Sequence, residues 1–280
     1  MCVIAWHWLP GEPRLLSLWA NRDEWFRRPS QSLSAWPERP TWVGGRDLQA
    51  HGSWLLIDTD AGRLAALTNV RDARPEGASH SAPSRGSLVA NVLEAGQVNL
   101  ADLEPEKYAG FNLLLIDWRE GIGRILTNRC GANAGGGVVL RSFGYGPGSL
   151  SNGHPDTPWP KQQRLLSALE GARFLADEAW IHAGWRALSD RWVDPARSFA
   201  RPEAGRPSER ALAAVFVDTA GYGTRQSSLL QVDAQGRITL RERTWHRDPA
   251  PDRCTRDQGS EVDEGGSNTG GRASEVVWNG

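Results

Sequence analysis

Residues 2–9, CVIAWHWL, leave almost no polar face in either register. Cys2, Ile4, Trp6 and Trp8 alternate with Val3, Ala5, His7 and Leu9. A strand of this kind is buried on both sides and needs a covering layer on each. The segment LPGEPR follows, with Pro10, Gly11 and Pro13 supplying turn chemistry, and RLLSLWA then reads as a returning strand that runs into NRDEW. If Leu9 pairs with Arg14, partner numbers sum to about 23, which sets Cys2 opposite Asn21 to Asp23. An apolar hairpin thereby delivers a polar cluster to a thiol.

Further strand pairs follow. SWLLIDT and RLAALTNV flank the turn DAG, and FNLLLID and GRILTN flank WREG. SRGSLVANVLEAG reads as a helix closed by glycine, and TPWPKQQRLLSALEG as another, with Thr157 as N-cap, Pro158 in the first turn and Gly171 at the end. DEAWIHAGWRALSD predicts a third helix, ALAAVFVD a strand, and SSLLQVDAQGRITLRER a hairpin turning at DAQG. Strand pairs apolar on both faces and separated by helices imply an α+β fold: a four-layer α/β/β/α sandwich. One domain is expected over residues 1–245. Residues 246–280, rich in Gly, Asp, Ser and Arg, are expected to form a disordered polar tail.

The chain's 280 residues carry a formal net charge of -1, which gives no electrostatic case for nucleic acid or an anionic membrane. No basic leader precedes the first apolar run, and no apolar stretch approaches the ~20 residues of a membrane span. Stable membrane insertion is therefore not expected, and a cytoplasmic location is. Cys2, Cys130 and Cys254 form no C-x-x-C pair, so neither a disulfide framework nor a structural zinc site is indicated. Cys130 and Cys254 read as ordinary free thiols, and His7, on the face opposite Cys2, as a packed core histidine. GYGPGS has spaced glycines without a following helix and is not a phosphate loop.

Cys2 follows a methionine of the kind that aminopeptidases commonly trim before a small residue. Trimming would leave one residue bearing both a thiol and a free α-amine. The thiolate is a nucleophile, and an amine of pKa ~7.7–8.0 can serve as its base, so no histidine partner is required. Such a site also needs groups that orient the amine and donors that hold an oxyanion. Arg22 and Asp23 are candidates for the first task; Asn69, Asn152 and Arg225, at strand or loop edges, are candidates to face substrate. Asn21 and Glu24 either contribute to binding or brace the turn, and Asn69 and Asn152 also suit plain turn formation. Among the 14 tryptophans, Trp6, Trp25, Trp42 and Trp54 fall near the cleft segments.

The segment ANRDEWFRRPS carries the Asn-Arg-Asp-Glu signature and resembles the NRDE family, which includes the transport and Golgi organisation protein 2 homologues. The resemblance continues through GSWLLIDTDAGRLAALTNVR, SRGSLV, GFNLLLID, LSNGHPDTPWPK and GYGTRQSSLLQVDAQGRITLRER, in order, over roughly residues 1–245. That family is similar to N-terminal nucleophile hydrolases of the choloylglycine hydrolase and penicillin V acylase group. The resemblance implies Cys2 as nucleophile, Asp23 as its amine's contact, Asn69 as oxyanion donor and Asn152 as an orienting residue. Arg225 matches those acylases' late arginine more loosely. They show an Arg-x-x-Asp spacing in the second block, whereas Arg22 and Asp23 are adjacent here.

Two functions follow. One is an amidohydrolase or acyltransferase working through a thioester on Cys2, with a small, partly apolar substrate and no required cofactor. The other is a non-catalytic carrier, since the family has been implicated in haem trafficking and in lipid or acyl-CoA homeostasis; haem or an acyl lipid would then be the cargo of the same cleft. The oligomeric state is not indicated.

Overall fold

A computed structural model describes residues 2–70, 83–130, 137–199, 207–246 and 272–280. The strands are β1 (Cys2–Trp8), β2 (Arg14–Trp25), β3 (Ser30–Trp36), β4 (Arg39–Asp47), β5 (Leu55–Asp58), β6 (Arg63–Asn69), β7 (Phe111–Asp117), β8 (Ile122–Cys130), β9 (Gly137–Phe143), β10 (Gly146–Leu150), β11 (Tyr222–Asp233), β12 (Ile238–His246) and β13 (Arg272–Asn279). The helices are α1 (Gly86–Ala95), α2 (Leu100–Leu103), α3 (Pro160–Gly171), α4 (Asp177–Leu188) and α5 (Glu209–Leu212).

The strands form two antiparallel sheets. One has the order β10-β1-β2-β11-β12-β13, and the other runs β3 to β9 in sequence order. Their facing sides share one core, where Ile4, Trp6, Trp8, Leu16 and Leu18 of the first sheet meet Val43, Leu55, Ile57, Leu64 and Leu114 of the second. On its outer side the first sheet packs Val3, Ala5, Trp19 and Leu229 beneath Leu165 and Leu169 of α3 and Trp180, Trp185 and Leu188 of α4. The second sheet packs Leu56, Ala65, Leu67 and Leu113 against Leu88, Val89, Val92 and Leu93 of α1. The result is the α+β, α/β/β/α sandwich that the double-faced strands require.

The β1–β2 register pairs Cys2 with Arg22 and Val3 with Asn21, so partner numbers sum to 24, one more than the hairpin arithmetic gives. The extra residue is absorbed in the turn, where Leu9 N donates to Leu15 O. β10 lies along the other side of β1, with Trp6 opposite Gly148. A Cβ on Gly148 would sit 2.2 Å from the Trp6 ring, so only glycine fits there.

Three expectations need correcting. α3 begins at Pro160, three residues after Thr157, with Trp159 as N-cap; Trp159 N donates to Gln162 Oε1 at 2.7 Å, and Pro160 takes the first helical position. ALAAVFVD is no strand: Ser208 caps the short α5 through Ala211 N, and Val215 and Val217 are buried by a turn that folds over β11. The polar tail is also interrupted, because Arg272–Asn279 adds β13 to the edge of β12. Trp278 packs on the inter-sheet core and Arg243 Nε donates to Glu275 at 2.9 Å, local contacts that the tail's average composition hides. Residues 247–271, and the side chain of Cys130, lie outside the description.

Candidate functional site

Cys2 lies on the floor of a cleft of about 350 Å³ at the end of the sandwich. Its lining includes Arg22, Asp23 and Glu24 from β2, Asp47 from β4, Trp54, Leu67, Asn69 from β6, Ser84 to Gly86, and Gln226 from β11. The cleft wall at α1 depends on a close backbone approach. A Cβ on Gly52 would lie 2.4 Å from the carbonyl carbon of Gly86, so two glycines bring the start of α1 against the β4–β5 connection.

Burial pushes the Cys2 thiol above its ordinary pKa; Asp23 adds to the rise and Arg22 opposes it. Asp23 is itself wholly buried, and burial raises its carboxyl against the pull of Lys161. Thr224 Oγ1 donates to Asp23 Oδ1 at 2.8 Å, and Tyr222 Oη donates to its backbone carbonyl at 2.9 Å. Lys161 Nζ stands 4.0 Å from Asp23 Oδ2 and 3.4 Å from Asn152 Oδ1 with no exposed surface, and burial lowers its pKa while Asp23 and Cys2 raise it.

A polar seam joins the two sheets behind the thiol. Ser151 Oγ donates to Cys2 O at 2.8 Å, while Ser151 O accepts from Thr68 Oγ1 at 2.6 Å and from Asn112 Nδ2 at 3.0 Å. Asn152 Nδ2 donates to Asn69 O at 2.8 Å. The first bond ties the chain following β10 to β1, and the other three tie it to β6 and β7, so the position of Cys2 is fixed relative to Asn69.

The site residues read from the sequence separate into two groups. Cys2, Arg22, Asp23, Glu24, Trp54 and Asn69 line the cleft. The Asn69 side-chain amide makes no hydrogen bond among the described residues and is open to a ligand. Asn152 stands behind the wall, its amide committed to Asn69, Ser151 and Lys161. Asn21 points to the helix layer, donating to Leu188 O and Val215 O and accepting from Ser227 Oγ. Arg225 is the extra residue of a β-bulge between Thr224 and Gln226, and its Nη1 clamps the carbonyls of Trp25, Phe26 and Arg28 at 3.0 Å each. It holds the turn after the NRDE segment and does not line the cleft. Trp6 is packed between the sheets against Phe143, Trp42 lies under α1, and Trp25 stacks edge-on to Tyr222.

Sequence reading missed Lys161, Asn112, Gln226 and Ser151. Lys161 stood in the quoted TPWPK run, but a lysine at the start of an amphipathic helix looks like a solvated charge until α3 is seen packed on β1. Arg22 Nη1 donates to Gln226 Oε1 at 3.2 Å, and its Nη2 lies 3.8 Å from Asp47 and 3.9 Å from Glu24, which spreads its charge along the cleft. Among the described residues no cluster of His, Cys, Asp and Glu could hold a metal, and no helix is long and apolar enough to cross a membrane.

Three comparisons relate the chain to known proteins. The family model described as Transport and Golgi organisation 2 matches residues 1–247. The chain is 34% identical over 266 residues to the Transport and Golgi organization protein 2 homolog of Bos taurus and 32% identical to that of Homo sapiens, in each case covering 87% of this chain and 93% of the relative. Among solved structures it resembles the Caenorhabditis elegans N-acylethanolamine-hydrolyzing acid amidase ortholog, with a TM-score of 0.49, 8% identity, and coverage of 82% of this chain and 92% of that one. On the family match and these relatives, the chain belongs to the Transport and Golgi organisation 2 family.

Proposed function

We propose that the chain is an N-terminal cysteine amidohydrolase or acyltransferase acting on a small, partly apolar acyl substrate. One observation carries the reading: a thiol, a buried acid from the adjacent strand and an uncommitted amide, Cys2, Asp23 and Asn69, converge on one cleft. Because burial holds the resting sulfur as a thiol, a base is needed, and the α-amine freed by removal of Met1 is the group at hand. The amine takes the thiol proton and the thiolate attacks the acyl carbon. A C–S bond forms, and the carbonyl electron pair moves onto oxygen, to which the Asn69 amide donates. Collapse breaks the bond to the leaving amine, which takes the proton from the α-ammonium and leaves a thioester. Water, deprotonated by the same amine, hydrolyses the thioester and restores the thiol; an acceptor amine in its place gives acyl transfer.

The cleft's volume of about 350 Å³ and its mixed lining, Trp54 and Leu67 beside Arg28, Arg46 and Arg85, support a small substrate over a haem macrocycle or a long acyl lipid. The carrier reading shares the cleft and is separated by experiment. Screening N-acyl 4-nitroanilides of two to eight carbons should reveal turnover that Cys2→Ser abolishes while the variant folds normally. Haem or acyl-lipid binding that survives Cys2→Ser, with no turnover of any amide by the parent protein, would support the carrier instead.

A further inference from the structure

A larger cavity than the Cys2 cleft lies elsewhere. A cleft of about 1050 Å³ opens at the other end of β1, on the helix side of the first sheet. His7 is five residues along β1 from Cys2, about 17 Å at the rise of a strand, and on the opposite face. The helix layer covers Val3, Ala5, Trp19 and Leu229 but leaves the next row of the same face open to the cleft. That row is continuous across five strands: His7 opposite Ser17, Ser17 opposite Gln231, Gln231 opposite Thr239, Thr239 opposite Asn279. Neighbouring strands are ~4.8 Å apart, so the five side chains make a line about 19 Å long.

We propose that this cleft is a binding site for a neutral, polyhydroxylated ligand of the carbohydrate class. Each side chain of the row, an imidazole, two hydroxyls and two carboxamides, both donates and accepts hydrogen bonds, as a sugar hydroxyl does. None of the five side chains makes a hydrogen bond among the described residues, so their full capacity faces the cleft. A merely solvated sheet end would be open, yet His7 is 9% and Ser17 6% exposed. Neutrality follows from the rim, where the charges are matched in pairs: Arg14 with Asp177 at 2.8 Å, Arg173 with Glu12 at 2.7 Å, and Arg237 with Asp233 at 2.6 Å. An ionic ligand would have to break one of these pairs. Phe174, 82% exposed at the cleft wall, supplies an aromatic face for the C–H side of a sugar ring. The site is independent of the chemistry proposed for Cys2.

The test titrates the full chain with cellotetraose and with maltotetraose, using saturation-transfer NMR and calorimetry, in the parent protein and in Cys2→Ser, Gln231→Leu and Phe174→Ala. The expected result is millimolar or tighter binding of at least one tetrasaccharide, unchanged by Cys2→Ser and weakened at least fivefold by Gln231→Leu and by Phe174→Ala. Phe174 is exposed, so its variant keeps the test valid if Gln231→Leu does not fold. Failure of both sugars to bind at millimolar concentration, binding indifferent to both variants, or preferential binding of gluconate there would overturn the proposal.

Discussion

Lys161 Nζ lies 4.0 Å from Asp23 Oδ2, and both side chains are fully buried. Burial drives each toward its neutral form while each holds the other charged, and the strand beside them carries the thiol. An isolated buried charge is far more costly than a buried pair. Lys161→Met should therefore destabilise the fold by about 3–5 kcal/mol. Adding Asp23→Asn should recover part of that loss, so the double variant loses less than the two single variants together. Urea denaturation of the four proteins checks it; strict additivity would mean that the two groups do not interact.

The Asn69 amide is an open donor of the Cys2 cleft among the described residues, whereas the Asn152 amide is committed to the wall. On the acyl-transfer reading, Asn69→Ala should lower kcat about 10²–10³-fold, the usual cost of one oxyanion donor. The rate at which iodoacetamide alkylates Cys2 should stay the same, since no oxyanion forms in that reaction. A parallel fall in alkylation would assign Asn69 to holding the thiol instead.

Glu242, buried beneath β3 where Leu33 N donates to its Oε1 at 2.8 Å, has its pKa pushed by burial from 4.5 to about 7. Between those values the folded protein keeps a proton that the unfolded chain has lost. Stability from this group is complete below about 4.5 and declines as pH rises through about 7. Glu242→Gln keeps the acceptor and removes the ionisation, so its stability relative to the parent should improve with rising pH, by on the order of 3 kcal/mol across that interval. Thermal midpoints measured against pH for the two proteins give the answer; parallel curves would rule the effect out.

Arg225 clamps three carbonyls of the turn after NRDE, those of Trp25, Phe26 and Arg28. Arg225→Met should destabilise by about 2 kcal/mol through the acceptors left behind. If its part is structural, turnover per folded molecule should hardly change. A large loss of kcat in a fully folded variant would return Arg225 to the catalytic group.

The doubly apolar β1 made the layered sandwich legible, because a strand without a polar face dictates what must cover it. Hairpin arithmetic placed Cys2 within one residue of its true partner, Arg22. β3 and β10 were not legible: SQSLSAW is a polar edge strand, and GPGSL pairs with β1 only because Gly148 accommodates Trp6. The roles of Asn21, Asn152 and Arg225 each depend on a contact at least 83 positions away along the chain, and local pattern carries no trace of those. The same holds for Lys161, whose burial is set by how α3 docks.

The most direct test is intact mass and peptide mapping after brief exposure to iodoacetamide at neutral pH. The account predicts that Met1 is gone and that Cys2 is alkylated far faster than Cys130 or Cys254, with Cys2→Ser removing the fast label. Retention of Met1, or a Cys2 that stays inert in the folded protein while the other thiols react, would contradict the N-terminal nucleophile.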